Sequence, residues 1–184
     1  MAELRSITMG DLLDETADMF PNKEAIIYHE RELTYTYREF QLVCNQLARG
    51  FMALGIQPGE HIAIWANNVP EWVLTQFATA KIGGVLVTVN TNYRTHELEY
   101  LLHQSDATTL LLIDQFKGVS YVDMLHEICP ELQTATPGEL QAERLPQLRR
   151  VIYLGEERQP GMYLFKDLYE LAEQVTEAEQ IDCQ

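Results

Sequence analysis

The chain has 184 residues, of which 46% are hydrophobic and 22% charged, enough apolar material for one domain with a sizeable core and too much for disorder throughout. Thirteen Lys and Arg stand against 28 Asp and Glu, a formal charge of −15 with the acidic excess spread along the whole length. With no basic stripe, nucleic acid and anionic membrane surfaces are excluded as partners on Coulomb grounds. The longest apolar runs, such as Thr109 to Ile113, fall far short of the roughly 20 residues that a membrane span needs.

Thr8 caps a predicted first helix that carries Leu12, Leu13, Thr16, Ala17 and Phe20 and stops at Pro21. A strand over 24–29, a turn at Glu30-Arg31 and a return strand over 33–35 form a hairpin. Thr36 with Glu39 makes a capping box for a helix whose apolar face is Phe40, Val43, Cys44, Leu47, Phe51 and Leu54, closed by Gly55. His61–Ala66 is apolar on both faces, as a strand of a covered parallel sheet is. Pro70 opens a helix to Ile82 with Trp72, Val73, Phe77 and Ala80 inward; Gly83-Gly84 end it before a strand over 85–89. A helix over 95–104 capped at Thr95 follows, then a strand over 108–113, a helix over 119–128 and a polar, loop-like stretch over 131–147. A strand over 150–154 and a helix near 164–175 complete the order, with residues 177–184 expected to fray.

From His61 the alternation is β-α-β-α-β-α-β with helices of crossover length. The fold class is therefore α/β: a wound, mostly parallel sheet flanked by helices, preceded by a small α+β piece.

Tests for site chemistry return little. Neither GxGxxG nor GxxxxGK[ST] occurs, and Gly83-Gly84 precedes a strand, the wrong side of the sheet for phosphate. That weakens a reading as an independent nucleotide-binding domain. Gly118-Val-Ser120 starts like a nucleophile elbow but lacks its second glycine. His96 and His103 are seven residues apart, about 10.5 Å along a helix, too far to share one metal; Glu99 and His103 read as an exposed i,i+4 pair. His29, His61 and His126 have no partner by spacing. Cys44, Cys129 and Cys183 form no CxxC pair or disulfide framework, and Cys44 and Cys129 read as buried apolar groups. Reduced cysteines and a start without an apolar signal core predict a cytoplasmic protein. One positional hypothesis survives. Ligands of wound sheets sit beyond the carboxyl ends of the strands, here Asn67-Asn68 and Asn90 to Arg94, where Arg94 offers one cation and Asn is also ordinary turn chemistry.

Several ordered segments are recognisable together: Thr36-Tyr-Arg-Glu-Phe40, Leu54 to Glu60, His61 to Asn67, Pro70-Glu-Trp72, Ala80 to Asn90, Glu97 to Leu102 and Ser105-Asp106. From about Leu12 to Leu171 the chain resembles the N-terminal part of the AMP-forming acyl-CoA synthetases, the adenylate-forming family that includes luciferases and peptide-synthetase adenylation domains. The wording around Asn90 is most similar to bacterial fatty-acyl-CoA synthetases. The resemblance implies one incomplete domain over 1–184, a partial copy of the family's large N-terminal domain. It implies ATP, Mg²⁺ and CoA as cofactors of the complete enzyme, with a carboxylic, fatty acid as substrate. The family's Thr/Ser/Gly-rich loop ending in Pro-Lys-Gly, its ribose-binding Asp and its C-terminal lysine have no counterpart here; Thr134-Ala-Thr-Pro-Gly138 is the nearest scrap. No catalytic, cofactor or metal residue is carried over, and the chain alone is expected to be inactive. The rival expectation is a standalone, non-catalytic interaction module that associates through an open sheet edge.

Overall fold

The structure is a computed structural model that describes residues 6–183. Helix α1 (Met9–Met19) starts at Thr8, whose hydroxyl accepts the Asp11 N–H at 2.9 Å. It buries Gly10, Leu13 and Ala17, while Leu12 and Phe20 are 49% and 51% exposed. Strands β1 (Glu24–Tyr28) and β2 (Leu33–Thr36) pair antiparallel around a left-handed Glu32. The Thr36–Glu39 capping box is present, with the Thr36 N–H donating to Glu39 Oε2 at 2.8 Å. It opens α2 (Tyr37–Ala53), which buries Phe40, Cys44, Leu47 and Phe51, and Gly55 (φ 77°) takes the left-handed position after its C-terminus.

Next come β3 (His61–Trp65), α3 (Pro70–Lys81), β4 (Val85–Thr88), α4 (Thr95–Gln104) and β5 (Ala107–Leu112). A tight hairpin of β6 (Gln115–Phe116) and β7 (Val119–Ser120) leads into α5 (Tyr121–Ile128), and β8 (Arg150–Tyr153), β9 (Tyr163–Leu164), α6 (Asp167–Leu171) and α7 (Glu177–Cys183) complete the described chain. The main sheet has five parallel strands in the order β4-β3-β5-β8-β9. Alternation along the strands divides the interior in two. Ile62, Ile64, Leu111 and Ile152 pack under α1, α2, α3 and α6. Ala63, Trp65, Leu110, Leu112, Val151 and Tyr153 pack under α4 and α5.

Several expectations need correction. The buried side of α3 is Leu74, Thr75, Ala78, Thr79 and Lys81; Trp72, Val73, Phe77 and Ala80 are half-buried. Helix α3 packs against α1 and α2 as well as β4, so more than one flank is covered and its apolar stripe does not mark the innermost side. The cap of α4 is Arg94, not Thr95: the Arg94 N–H donates to Glu97 Oε2 at 3.0 Å, and Thr95 is already helical. Residues 119–120 are strand rather than helix, and Ser120 caps α5. The fifth strand, β9, is only two residues long, below what a periodic pattern reveals. The polar stretch 131–147 is irregular beyond one turn at Pro130–Gln133, yet it inserts Leu132, Leu140, Ala142 and Leu145 into the core. Residues expected to fray are helical over Glu177–Cys183, started by Thr176 and Glu179 in a reciprocal box.

Candidate functional site

In the strand order β4-β3-β5-β8-β9 the chain reverses direction of travel between β3 and β5. Beyond the carboxyl ends of those two strands lies the topological switch point, where wound sheets bind ligands. Here that position is plugged. The ring of Trp65, the last residue of β3, stacks on Tyr121 with centroids 3.7 Å apart and planes 4° from parallel. Trp65 Nε1 donates to the Asn90 carbonyl at 3.2 Å, and the Tyr121 hydroxyl donates to the Thr91 carbonyl at 2.7 Å. Asn90 Oδ1 accepts the Asn92 N–H at 2.9 Å, turn chemistry of the usual Asx kind. The stack thus carries the loop from Asn90 to Arg94 as a shelf over the sheet.

Arg94 stands exposed at the end of that shelf, near Tyr121; burial pushes the Tyr121 phenol up and the Arg94 guanidinium partly offsets it. Asn68 is occupied through its backbone: its carbonyl accepts the Tyr28 hydroxyl at 2.7 Å, tying the N-terminal hairpin to the end of β3. The predicted Asn67-Asn68 and Asn90–Arg94 ends follow the neighbouring strands β3 and β4, and Arg94 is the cation they present.

On the other face a cleft of about 180 Å³ opens between Leu33, Tyr35, Glu71, Gly155, Lys166 and Tyr169. Glu71 Oε1 pairs with Arg31 at 2.7 Å, whereas its Oε2 is buried without a hydrogen-bond donor. Burial, then Tyr35 and Glu71, push the Tyr169 phenol well above its ordinary range. The cleft mixes acid, phenol and one lysine, a poor match for a polyphosphate. Sequence reasoning missed it because its members come from β2, α3, α6 and the loop after β8.

The other singled-out residues have structural employment. Gly83 (φ 65°) and Gly84 close α3 in a Schellman motif, with Gly84 N–H donating to the Thr79 carbonyl at 3.0 Å and Gly83 N–H to Ala80 at 3.2 Å. Ser120 Oγ accepts the Asp123 N–H at 3.0 Å as a helix cap. Glu99 does not pair chiefly with His103 but with Arg144, at 2.8 and 2.5 Å through both oxygens, which holds its carboxyl below the usual range. His61 Nδ1 meets the Ser105 carbonyl, and His126 Nε2 is buried without a partner atom. Thr134 to Gly138 folds back on Glu131 and accepts the Tyr163 hydroxyl at the Pro137 carbonyl, 2.9 Å, with no helix following to receive an anion. Cys44 and Cys129 are buried, and burial pushes the Cys129 thiol up to about 11. Among the described residues no three His, Cys, Asp or Glu side chains are placed to hold a metal, and no helix is long and apolar enough to cross a membrane.

Comparison with known proteins follows the same lines. The profile of the AMP-binding enzyme family matches residues 13–177. The chain is 52% identical over 179 residues to YngI of Bacillus subtilis (strain 168), a protein named for acyl-CoA synthetase activity, covering 97% of this chain and 33% of that one. It is 38% identical over 165 residues to the mitochondrial medium-chain acyl-CoA ligase ACSF2 of Danio rerio, covering 90% of this chain and 27% of that one. The crystal structure of the anthranilate CoA ligase AuaEII with anthranoyl-AMP superposes with a TM-score of 0.73 at 24% identity, over 89% of this chain and 28% of that one, a likeness of fold. The chain spans about a third of the length of the curated relatives it matches. Profile, relatives and wound sheet agree, and the chain belongs to the AMP-binding enzyme family.

Proposed function

We propose that this chain is the N-terminal scaffold of an ATP-dependent, AMP-forming acid–CoA ligase. In the complete enzyme a carboxylate oxygen, that of a fatty acid, attacks the α-phosphorus of ATP, pyrophosphate leaves, and the CoA thiol then displaces AMP from the acyl carbonyl. Charge grows on phosphate oxygens in the first step, so the reacting centre needs concentrated donors and cations. Among the described residues Arg94 is the cation at the switch point and no three His, Cys, Asp or Glu side chains gather to hold a metal, so no step is assigned to a residue of this chain. Its part is to present the shelf from Asn90 to Arg94 and to support the remaining two thirds. A single observation carries this reading: 52% identity across 97% of the chain to a relative three times as long.

Acid-dependent exchange of pyrophosphate into ATP tests it. The 184-residue chain alone stays at the blank, and the chain co-purified with the remainder of the Bacillus relative exchanges when a fatty acid is added. Exchange by the chain alone, or none by the assembled pair, defeats the proposal. The rival reading, a standalone interaction module, is favoured by the outer edge of β4, which no strand among the described residues pairs with, and predicts a stable complex without exchange.

A further inference from the structure

The cleft beside Glu71 gathers three aromatic side chains around one small space. Tyr35 comes from β2, Phe165 follows β9 and Tyr169 belongs to α6, and Leu33 and Leu74 complete an apolar wall. Phe165 and Tyr169 meet edge to face, with centroids 6.2 Å apart and planes at 83°, so their π faces stand at right angles. Phe165 is buried in the core under α1, α2 and α3, and Tyr169 packs against the same core. The fold therefore holds the rings in place before any ligand arrives.

One acid governs the field in this space. Glu71 Oε1 takes Arg31 at 2.7 Å, but that arginine side chain is 49% exposed, and solvent screens much of its charge. Glu71 Oε2 is enclosed and, among the described residues, meets no donor. Burial raises the Tyr35 and Tyr169 phenols first, and Glu71 adds to the rise at both, so the two rings lie in its negative field as neutral groups. Glu156 and Lys166 border the cleft with opposite charges, both exposed. Ring faces beside an incompletely matched carboxylate attract a cation and repel an anion. The same chemistry is already at work next door, where the Arg31 guanidinium lies 5.8 Å from the centroid of Tyr28.

From the three rings, the carboxylate and the size of the space, we infer that this cleft is a binding site for a small methylated ammonium ion. Its volume of about 180 Å³ equals that of about six waters at about 30 Å³ each, room for a nitrogen carrying four methyl groups. Because Glu71 Oε2 is closed off, an occupant feels its charge without bonding to it. That favours a quaternary ion, which has no N–H to satisfy, over a primary ammonium, which would give up its bonds to water. The inference does not depend on the ligase reading, since every lining residue belongs to the fold described above.

Tetramethylammonium chloride titrated into the 184-residue chain at constant chloride tests it by proton NMR. The Tyr35 and Tyr169 ring signals are expected to shift saturably and to show Overhauser contacts with the ligand methyl groups. tert-Butanol, of similar shape and no charge, should bind about tenfold more weakly or worse, and so should tetramethylammonium to Glu71→Gln. Tyr169→Phe keeps a ring face and should bind within about twofold of the parent, whereas Tyr169→Leu should lose about fivefold or more. That second pair decides the matter even if Glu71→Gln does not fold. Absence of saturable shifts at the two rings overturns the site and leaves water as its only occupant. Equal binding of tert-butanol, or equal binding by Tyr169→Leu and Tyr169→Phe, reduces it to an apolar crevice and overturns it as well. Binding that appears only in Lys166→Met also overturns it, because the chain's own lysine then fills the cleft.

Discussion

Lys81 Nζ lies 2.7 and 2.8 Å from the two carboxylate oxygens of Asp14, and the lysine side chain is fully buried while the aspartate is 32% exposed. The pair joins the middle of α1 to the end of α3, and Gln41 of α2 adds a hydrogen bond to Asp14 at 2.7 Å. Because the lysine cannot reach water, the aspartate is what makes its charge tolerable. Asp14→Ala should cost about 3 kcal/mol or more, and Lys81→Met, which leaves a carboxylate with some solvent and Gln41, should cost less. Urea unfolding of the two variants checks the order; equal costs would mean that lysine desolvation does not govern the pair.

Arg150 plays a comparable part at the amino end of the sheet. Its Nε and Nη2 donate to the carbonyls of Leu54 and Gly55 at 2.8 and 3.0 Å, and Nη1 to Glu60 at 3.0 Å. Leu54 is the C-cap of α2 and Gly55 the residue after it, so one planar fork holds the end of the helix and ties it to β8. Arg150→Lys keeps the charge but cannot make all three bonds, and the thermal midpoint should fall by an amount corresponding to about 2 kcal/mol. A midpoint unchanged within error would show that the fork geometry is dispensable.

The Trp65–Tyr121 stack separates two contributions. Tyr121→Phe keeps the ring and loses only the bond to the Thr91 carbonyl, for about 1 kcal/mol, while Tyr121→Ala empties core volume and should cost about 3–5 kcal/mol. Equal losses in chemical denaturation would place the whole effect in the hydrogen bond.

Acid should weaken the fold in two steps. Burial holds His126 below its ordinary value of 6.5, so the unfolded chain takes up that proton first and stability falls as pH drops below about 6.5. Glu97 and Glu99 are held below the ordinary carboxylate value by the Arg94 N–H and by Arg144, so their contribution is present above about pH 4.5 and is lost as pH falls further. Thermal midpoints between pH 7 and 3 for the parent and His126→Gln check this. The variant should lose the upper step only; survival of that step would assign it to another group.

Much of the fold was legible in the residue order because it is written in local chemistry. Thr8, Thr36 and Gly83-Gly84 act through hydrogen bonds to groups a few residues away, and β3 announces itself by being apolar on both faces. The α/β class and the family resemblance follow from such signals, as does the lack of a phosphate loop. Tertiary structure alone decided the rest. The innermost side of α3 depends on α1 and α2 packing against it, the two-residue β9 exists only because β8 is beside it, and Glu99 turns to Arg144 across 45 residues. The plugged switch point, the cleft at Glu71 and the bare edge of β4 are each made of segments far apart in the chain. No periodicity or spacing encodes them, because burial, pairing and desolvation are set by whatever the fold brings alongside.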